Sequence, residues 1–339
     1  MLQKLDNLWW HPKDFHDAVS YSCGLVLSSF KPYLKLIQTL TGTKACELSS
    51  FLQEDGLGWQ TQTLFDSTIQ GLPDGGELLV DAVTFPKENT SHMQAEPVFS
   101  TSQKRVLQGQ DYVVLTWTKG TLTQVVGFRK LTTFPETLEM IEHALSFGLQ
   151  VKGIRADGYY FKANFRKGLK QLEQHLVTKP RQDSKWFLGC EYIQLKHWVK
   201  TLSIDSFHYY GSGLGYAKSF VMSRHDCPPV LMVVLKPKRS SEKAVFLVST
   251  DLTLTTREVI LAYKRRWRIE TVFRDCSQNL GLKSHQAYSK TSERHVAMVF
   301  LTYNIIANIK SETGETIGRL VRRLQKLSNP MQTRGLGFS

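Results

Sequence analysis

Between residues 77 and 176 the hydrophobic period changes, and this change constrains the fold more than any other feature of the chain. Glu77-Leu-Leu-Val-Asp-Ala-Val83, Asp111-Tyr-Val-Val-Leu-Thr-Trp-Thr118 and Thr123-Gln-Val-Val-Gly-Phe128 are short apolar, β-branched or aromatic runs. Such runs fit a pleated, half-buried surface and predict three strands, the last two joined through Lys119-Gly120 as a hairpin. From Pro135 the spacing turns helical, with Leu138, Ile141, Glu142 and Leu145 ahead of Gly148. Residues 151–156 return to strand, and 160–176 read as helix again. A meander followed by alternating helices and strands predicts an α/β fold: a mixed sheet with helices packed on its faces.

The flanks have a different texture. Residues 1–73 read as helical and end in the turn Pro73-Asp74-Gly75-Gly76. Residues 181–243 break into short strands separated by Gly, Pro and Ser, and 244–249 forms a further apolar strand. The longest apolar segment, 296–309, is interrupted by Thr302, Tyr303, Asn304 and Asn308. A membrane span needs roughly 20 mostly apolar residues, so a buried helix is expected there, and no membrane association. The opening residues show no signal-peptide pattern. Five cysteines form no Cys-x-x-Cys pair, which predicts a reduced, cytoplasmic protein without a structural zinc site.

Apolar residues at 41% and charged residues at 22% exclude a disordered or collagen-like chain. Forty-three Lys and Arg against thirty acids leave a formal charge of +13, which favours a polyanionic partner such as nucleic acid. The charge is clustered: eight basic residues against two acids over 152–181, five against one over 257–268, and six against two over 310–339.

The best-marked helix begins at Thr255-Thr256-Arg257-Glu258, a capping box, and ends at Gly281, where a C-terminal glycine cap belongs. At about 100° per residue, Ala262, Ile269, Val272, Phe273, Cys276 and Leu280 form its core stripe. Tyr263, Arg266, Glu270, Arg274 and Ser277 lie together beside that stripe. Taken alone, Arg266, Glu270 and Arg274 also describe an i,i+4 salt-bridge ladder on a solvated face.

Tyr263-x2-Arg266-x3-Glu270, followed by Leu280-Gly281-Leu282, resembles the bacterial insertion-sequence DDE transposases, and more narrowly the insertion sequence four group. That group's signature is Tyr-x2-Arg-x3-Glu-x6-Lys. Phe246-Leu-Val-Ser-Thr-Asp251 and Leu301-Thr-Tyr-Asn-Ile-Ile306 are similar to the group as well. The likeness runs in outline from about 50 to 310, and departs where the group's lysine is Ser277. It implies an RNase H-like core at 74–180 and 244–310, interrupted by a β-rich insertion at 181–243. The helical region 1–73 becomes a candidate for contact with DNA ends, and 311–339 is a basic C-terminal tail.

A DDE site brings two strand-end aspartates to a helix glutamate, where two divalent ions activate the attacking oxygen and stabilise the leaving one. Asp81, closing Leu-Leu-Val-Asp, fits the first position. Asp157 in Ala-Asp-Gly-Tyr-Tyr fits the second, and Glu270 the third. The same residues read as ordinary turn aspartates in isolation, and Asp74, Asp111 and Asp251 compete with them. Oxygen-only donors select Mg²⁺, with Mn²⁺ as a substitute. By resemblance, Tyr263 and Arg266 contact the phosphate near the scissile bond, with Lys264, Arg265 and Arg274 as further DNA contacts. Trp267 and Trp198 are candidates both for stacking on extruded bases and for plain packing.

The expected function is a cut-and-paste transposase that frees a 3′-hydroxyl at the element's end and joins it to target DNA. Its expected partners are double-stranded terminal inverted repeats, target DNA and a second protomer on paired ends, in a bacterial cytoplasm at the nucleoid. The alternatives are a catalytically inactive or repurposed DNA-binding relative, and an RNase H-like nuclease without strand transfer.

Overall fold

The computed structural model describes residues 12–28, 34–53, 65–86, 96–100, 105–130, 134–241, 243–283 and 289–328. Four helices come first: α1 (Pro12–Leu27), α2 (Leu34–Thr41), α3 (Ala45–Gln53) and the short α4 (Asp66–Gln70). Then follow β1 (Gly76–Pro86), β2 (Glu96–Ser100), β3 (Arg105–Lys119), β4 (Leu122–Lys130), α5 (Phe134–Ser146), β5 (Val151–Ala156), α6 (Ala163–Gln171) and β6 (Leu176–Thr178). A β-rich stretch contributes β7 (Lys185–Leu188), β8 (Glu191–Gln194), α7 (Leu195–Trp198), β9 (His208–Tyr209), β10 (Tyr216–Arg224) and β11 (Cys227–Lys236). The chain closes with β12 (Val245–Ser249), α8 (Thr256–Arg265), α9 (Trp267–Asn279), α10 (Ser289–Thr313) and α11 (Ile317–Ser328).

One mixed sheet carries these strands, in the order β2-β3-β1-β5-β6-β12-β11-β10-β7-β8, with β4 also on β3 and β9 on β10. Strands β1, β3 and β4 form the antiparallel meander. Strand β5 lies parallel to β1, and β6 parallel to β5. The meander followed by two parallel strands is the mixed α/β arrangement read from the sequence. Beyond β6 all neighbours are antiparallel, as β12, β11 and β10 continue the same sheet.

The alternation of side chains assigns the two faces. Leu79, Val83, Tyr112 and Val114 point into a core shared with α1, α3, α9, α10 and α11. Leu78, Val80, Val113 and Leu115 point to the opposite core, with α5, α6 and the β-rich stretch. A third cluster lies under α8, where Val259, Ile260 and Ala262 cover Val177, Leu231, Val233 and Leu247. The segment 296–309 is a buried part of α10, and no helix among the described residues is long and apolar enough to cross a membrane.

Two elements differ from the sequence reading. Residues 160–176 were expected to be one helix; instead α6 stops at Gln171, the backbone turns through Glu173 at φ +55°, and Leu176 starts β6. A three-residue strand is too short to show a period. The helix expected over 255–281 breaks at Arg266, between α8 and α9. Its two halves pack on different cores, α8 on the sheet's extension and α9 on the meander, while Arg266 between them keeps helical dihedrals at φ −50° and ψ −36°.

Candidate active site

Register places the two aspartates. Strands β1 and β5 are parallel neighbours, and their last paired residues are Val80 and Ala156. Asp81 and Asp157 are the residues that follow: Asp157 leaves β5 there, whereas β1 runs on to Pro86 and Asp81 pairs with Val114 of β3, inside its strand and not at the end the sequence suggested. They also share a face: four residues back, Glu77 of β1 meets Arg155, two residues before Asp157, at 2.7 Å.

The Asp157 turn is held tightly. Its Oδ1 accepts from the Tyr159 amide at 2.8 Å, and the Thr178 hydroxyl donates to its carbonyl at 2.6 Å. A Cβ on Gly158 would come within 2.9 Å of the Lys179 carbonyl oxygen. The glycine is therefore required by close approach to β6, beyond any general turn preference.

The third carboxylate comes from α9, whose Ile269, Val272 and Cys276 pack into the core on the Asp81 face. Glu270 lies in that helix's first turn, where the helix dipole favours an acid. Between it and the sheet stands Arg266, at the break between α8 and α9. Its Nη1 donates to Asp81 Oδ2 at 2.8 Å and its Nη2 to Glu270 Oε1 at 2.6 Å. Its guanidinium carbon lies 5.5 Å from the centre of the Tyr263 ring, and the Lys179 ammonium lies 4.9 Å from the same ring.

The charges in this cluster act on one another. Burial above all, with the like charges of Asp157 and Glu270, raises the Asp81 carboxyl from its ordinary 3.8 to about 6 against the opposing pull of Arg266. Burial, helped by the charge of Arg266, lowers the Lys179 ammonium although Glu270 and Asp157 oppose the shift. Tyr160, 1% exposed, has a hydroxyl with no hydrogen-bond partner. Burial drives its pKa upward, with smaller contributions from Asp81 and Asp157.

The remaining expected contacts lie elsewhere. Lys264 donates to the Gly213 carbonyl, and Arg265 pairs with Glu77 through its Nε and, at 2.9 Å, its Nη2. Arg274 is exposed on α9. Trp267 is 59% exposed beside Arg266, whereas Trp198 packs edge-on against Phe220 at 4.8 Å. Asp251 accepts from the amide and hydroxyl of Thr253, as a residue leading into a helix would. The Ser277 hydroxyl is buried without a partner, so no cation is supplied at that position. Lys179 is the cation that the motif did not indicate. Its only sequence signal was membership of the basic cluster over 152–181.

Among the described residues no group of three or more His, Cys, Asp or Glu side chains is gathered closely enough to hold a metal. Asp81, Asp157 and Glu270 offer only oxygen donors, which suit a hard divalent cation. The Arg266 guanidinium is bonded to two of the three.

Residues 78–305, more than half of the chain, match the family described as "Transposase DDE domain". No curated protein matches the chain. Among solved structures it is similar to a Drosophila P element transposase strand transfer complex, at 14% identity and a TM-score of 0.27. That match covers 92% of this chain and 64% of the other.

Proposed function

Because the chain belongs to the transposase DDE domain family, we propose that it is a cut-and-paste DNA transposase whose site is Asp81, Asp157 and Glu270. The observation that carries this reading is the Arg266 guanidinium joined to both Asp81 and Glu270, beside the Asp157 turn. Asp81 and Glu270 lie far apart along the chain, and a plain i,i+4 pair of Glu270 with Arg266 would not require the same guanidinium to hold Asp81 as well.

In this reading the three carboxylates hold a pair of Mg²⁺ ions, which when bound activate the attacking oxygen and stabilise the leaving one during phosphodiester hydrolysis and strand transfer. Arg266, paired here with Asp81 and Glu270, would release them to a bound metal and offer its forked donors to a phosphate oxygen. Lys179 and Tyr263 line the same opening. Lys179 supplies the positive charge that Ser277 cannot. Trp267 offers an exposed ring for a base, and Tyr160 a buried donor for a carboxylate or a water held by one. The substrates are double-stranded terminal repeats and target DNA, gripped by two protomers on paired ends.

The test is Mg²⁺-dependent cleavage and joining of DNA carrying the element's ends, by the protein and by Asp81→Asn, Asp157→Asn and Glu270→Gln. Each variant should lose about a hundred- to a thousandfold in rate, by the scale of removing one preorganised electrostatic group from a reacting centre. Full activity in any one variant removes that residue from the site. A repurposed DNA-binding relative, the alternative that Ser277 favours, would bind the same duplex and cut nothing. A nuclease without strand transfer would cut and leave no joined product.

A further inference from the structure

Helix α11 is anchored by one side only. Ile317, Leu320 and Val321 are buried, with the helix packed on α1, α9 and α10. Gln325 also donates to the Val26 carbonyl at 2.8 Å. At 3.6 residues per turn, Arg319, Arg322, Arg323 and Lys326 fall within about 100° of arc on the opposite side. All four are exposed. Arg323 pairs with Glu315, while Arg319, Arg322 and Lys326 form no ion pair among the described residues.

Like charges three and four residues apart on a helix repel one another and destabilise it. The array is stable here because the apolar side is fixed in the core, and a polyanion laid along the free side would relieve the repulsion. Amphipathic basic helices also bind anionic membranes, but they do so by inserting their apolar face. In α11 that face is already occupied by the protein's own core.

The position suits an extended polyanion. A Cβ on Gly318 would come within 3.2 Å of the Asn279 side chain, so α11 starts against the C-terminal end of α9. Glu270 lies nine residues up that helix, or about 14 Å at 1.5 Å per residue.

We propose that the exposed face of α11 (Arg319, Arg322, Arg323 and Lys326) grips the phosphate backbone of double-stranded DNA without regard to sequence. The proposal rests on the reading of the chain as a DNA transposase and adds a contact outside the carboxylate site. Its probe is a short fluorescent duplex of arbitrary sequence, titrated in EDTA at several salt concentrations. Each neutralised phosphate contributes about 0.9 to the slope of log affinity against log salt. The triple variant Arg319→Gln, Arg322→Gln, Lys326→Gln should therefore show a slope smaller by about 2 to 3, with a melting temperature no lower than that of the unaltered protein. The charge-conserving variant Arg319→Lys, Arg322→Lys should keep the original slope.

An unchanged slope in the triple variant overturns the proposal. A protein that binds no duplex at all overturns both the proposal and the reading beneath it. A protein that shows the fall in slope yet cuts no DNA in Mg²⁺ supports the α11 contact while sinking the catalytic reading.

Discussion

At Asp81 the chain holds a carboxylate in a place where an uncharged group would be more stable. With its pKa raised from 3.8 to about 6, its contribution to stability is intact below pH 4 and is lost as the pH rises to about 6. Asp81→Asn should therefore raise the stability of the metal-free protein at pH 8 by about 1–2 kcal/mol, against an upper bound of about 3, because Arg266 loses one partner. The gain should vanish near pH 4 in urea unfolding; an equal gain at both pH values would show that burial of charge is not the cause. Arg266→Ala removes the fixed cation from between Asp81 and Glu270. An opposite charge at this range is worth a few kcal/mol near a protein surface. The variant should bind Mg²⁺ on the order of tenfold more tightly, read as the half-saturation of the thermal shift without DNA. Half-saturation equal to that of the unaltered protein would mean that guanidinium and metal do not compete.

At the scale of elements, the sequence was most legible where local chemistry and tertiary packing agree. The Thr255 and Glu258 box forms in both directions, and Gly281 takes φ +68° as a C-terminal cap should. Thr255→Ala should cost about 1 kcal/mol in chemical denaturation; a cost near zero would mean the cap is not needed to hold α8. Asp81 and Asp157 were legible because each ends a short apolar run, and register then aligns them. The break at Arg266 was not legible, since helix periodicity continues through it and only the folded chain shows the two halves packing on separate cores. Lys179 was hidden for a similar reason. It follows a strand of three residues, and its value comes from contact with Tyr263, far away in sequence. Lys264 and Arg265 belong to the dense basic run over 257–268, yet the helix turns them toward Gly213 and Glu77.

For the molecule as a whole, Glu77 is a central fastening. Its side chain is 5% exposed and holds both Arg155 of β5 and Arg265 of α8. Burial raises its pKa, but the two arginines overcome this and hold the carboxyl below its usual range. Its stabilisation is therefore present at neutral pH and is lost only in acid, below the ordinary carboxylate range. Glu77→Gln strands two guanidinium groups and should cost about 3–5 kcal/mol in urea unfolding at pH 7. A cost below about 1 kcal/mol would mean that solvent reaches the cluster freely.

The seam at β6 has a consequence for how such a chain can be altered over generations. That strand gives one rim to β5, which ends at Asp157, and the other to β12. Hairpin β7–β8 at the far margin can be lengthened or replaced with little disturbance at this seam, because four strand-to-strand steps separate it from β6. Excising everything between β6 and β12 as one cassette is different. It would bare the rim of β12 that β11 now covers, on the strand that flanks β6, and bare rims invite other chains to zip on. Heredity is thus free to edit the fringe of this fabric, while its middle threads must be inherited together.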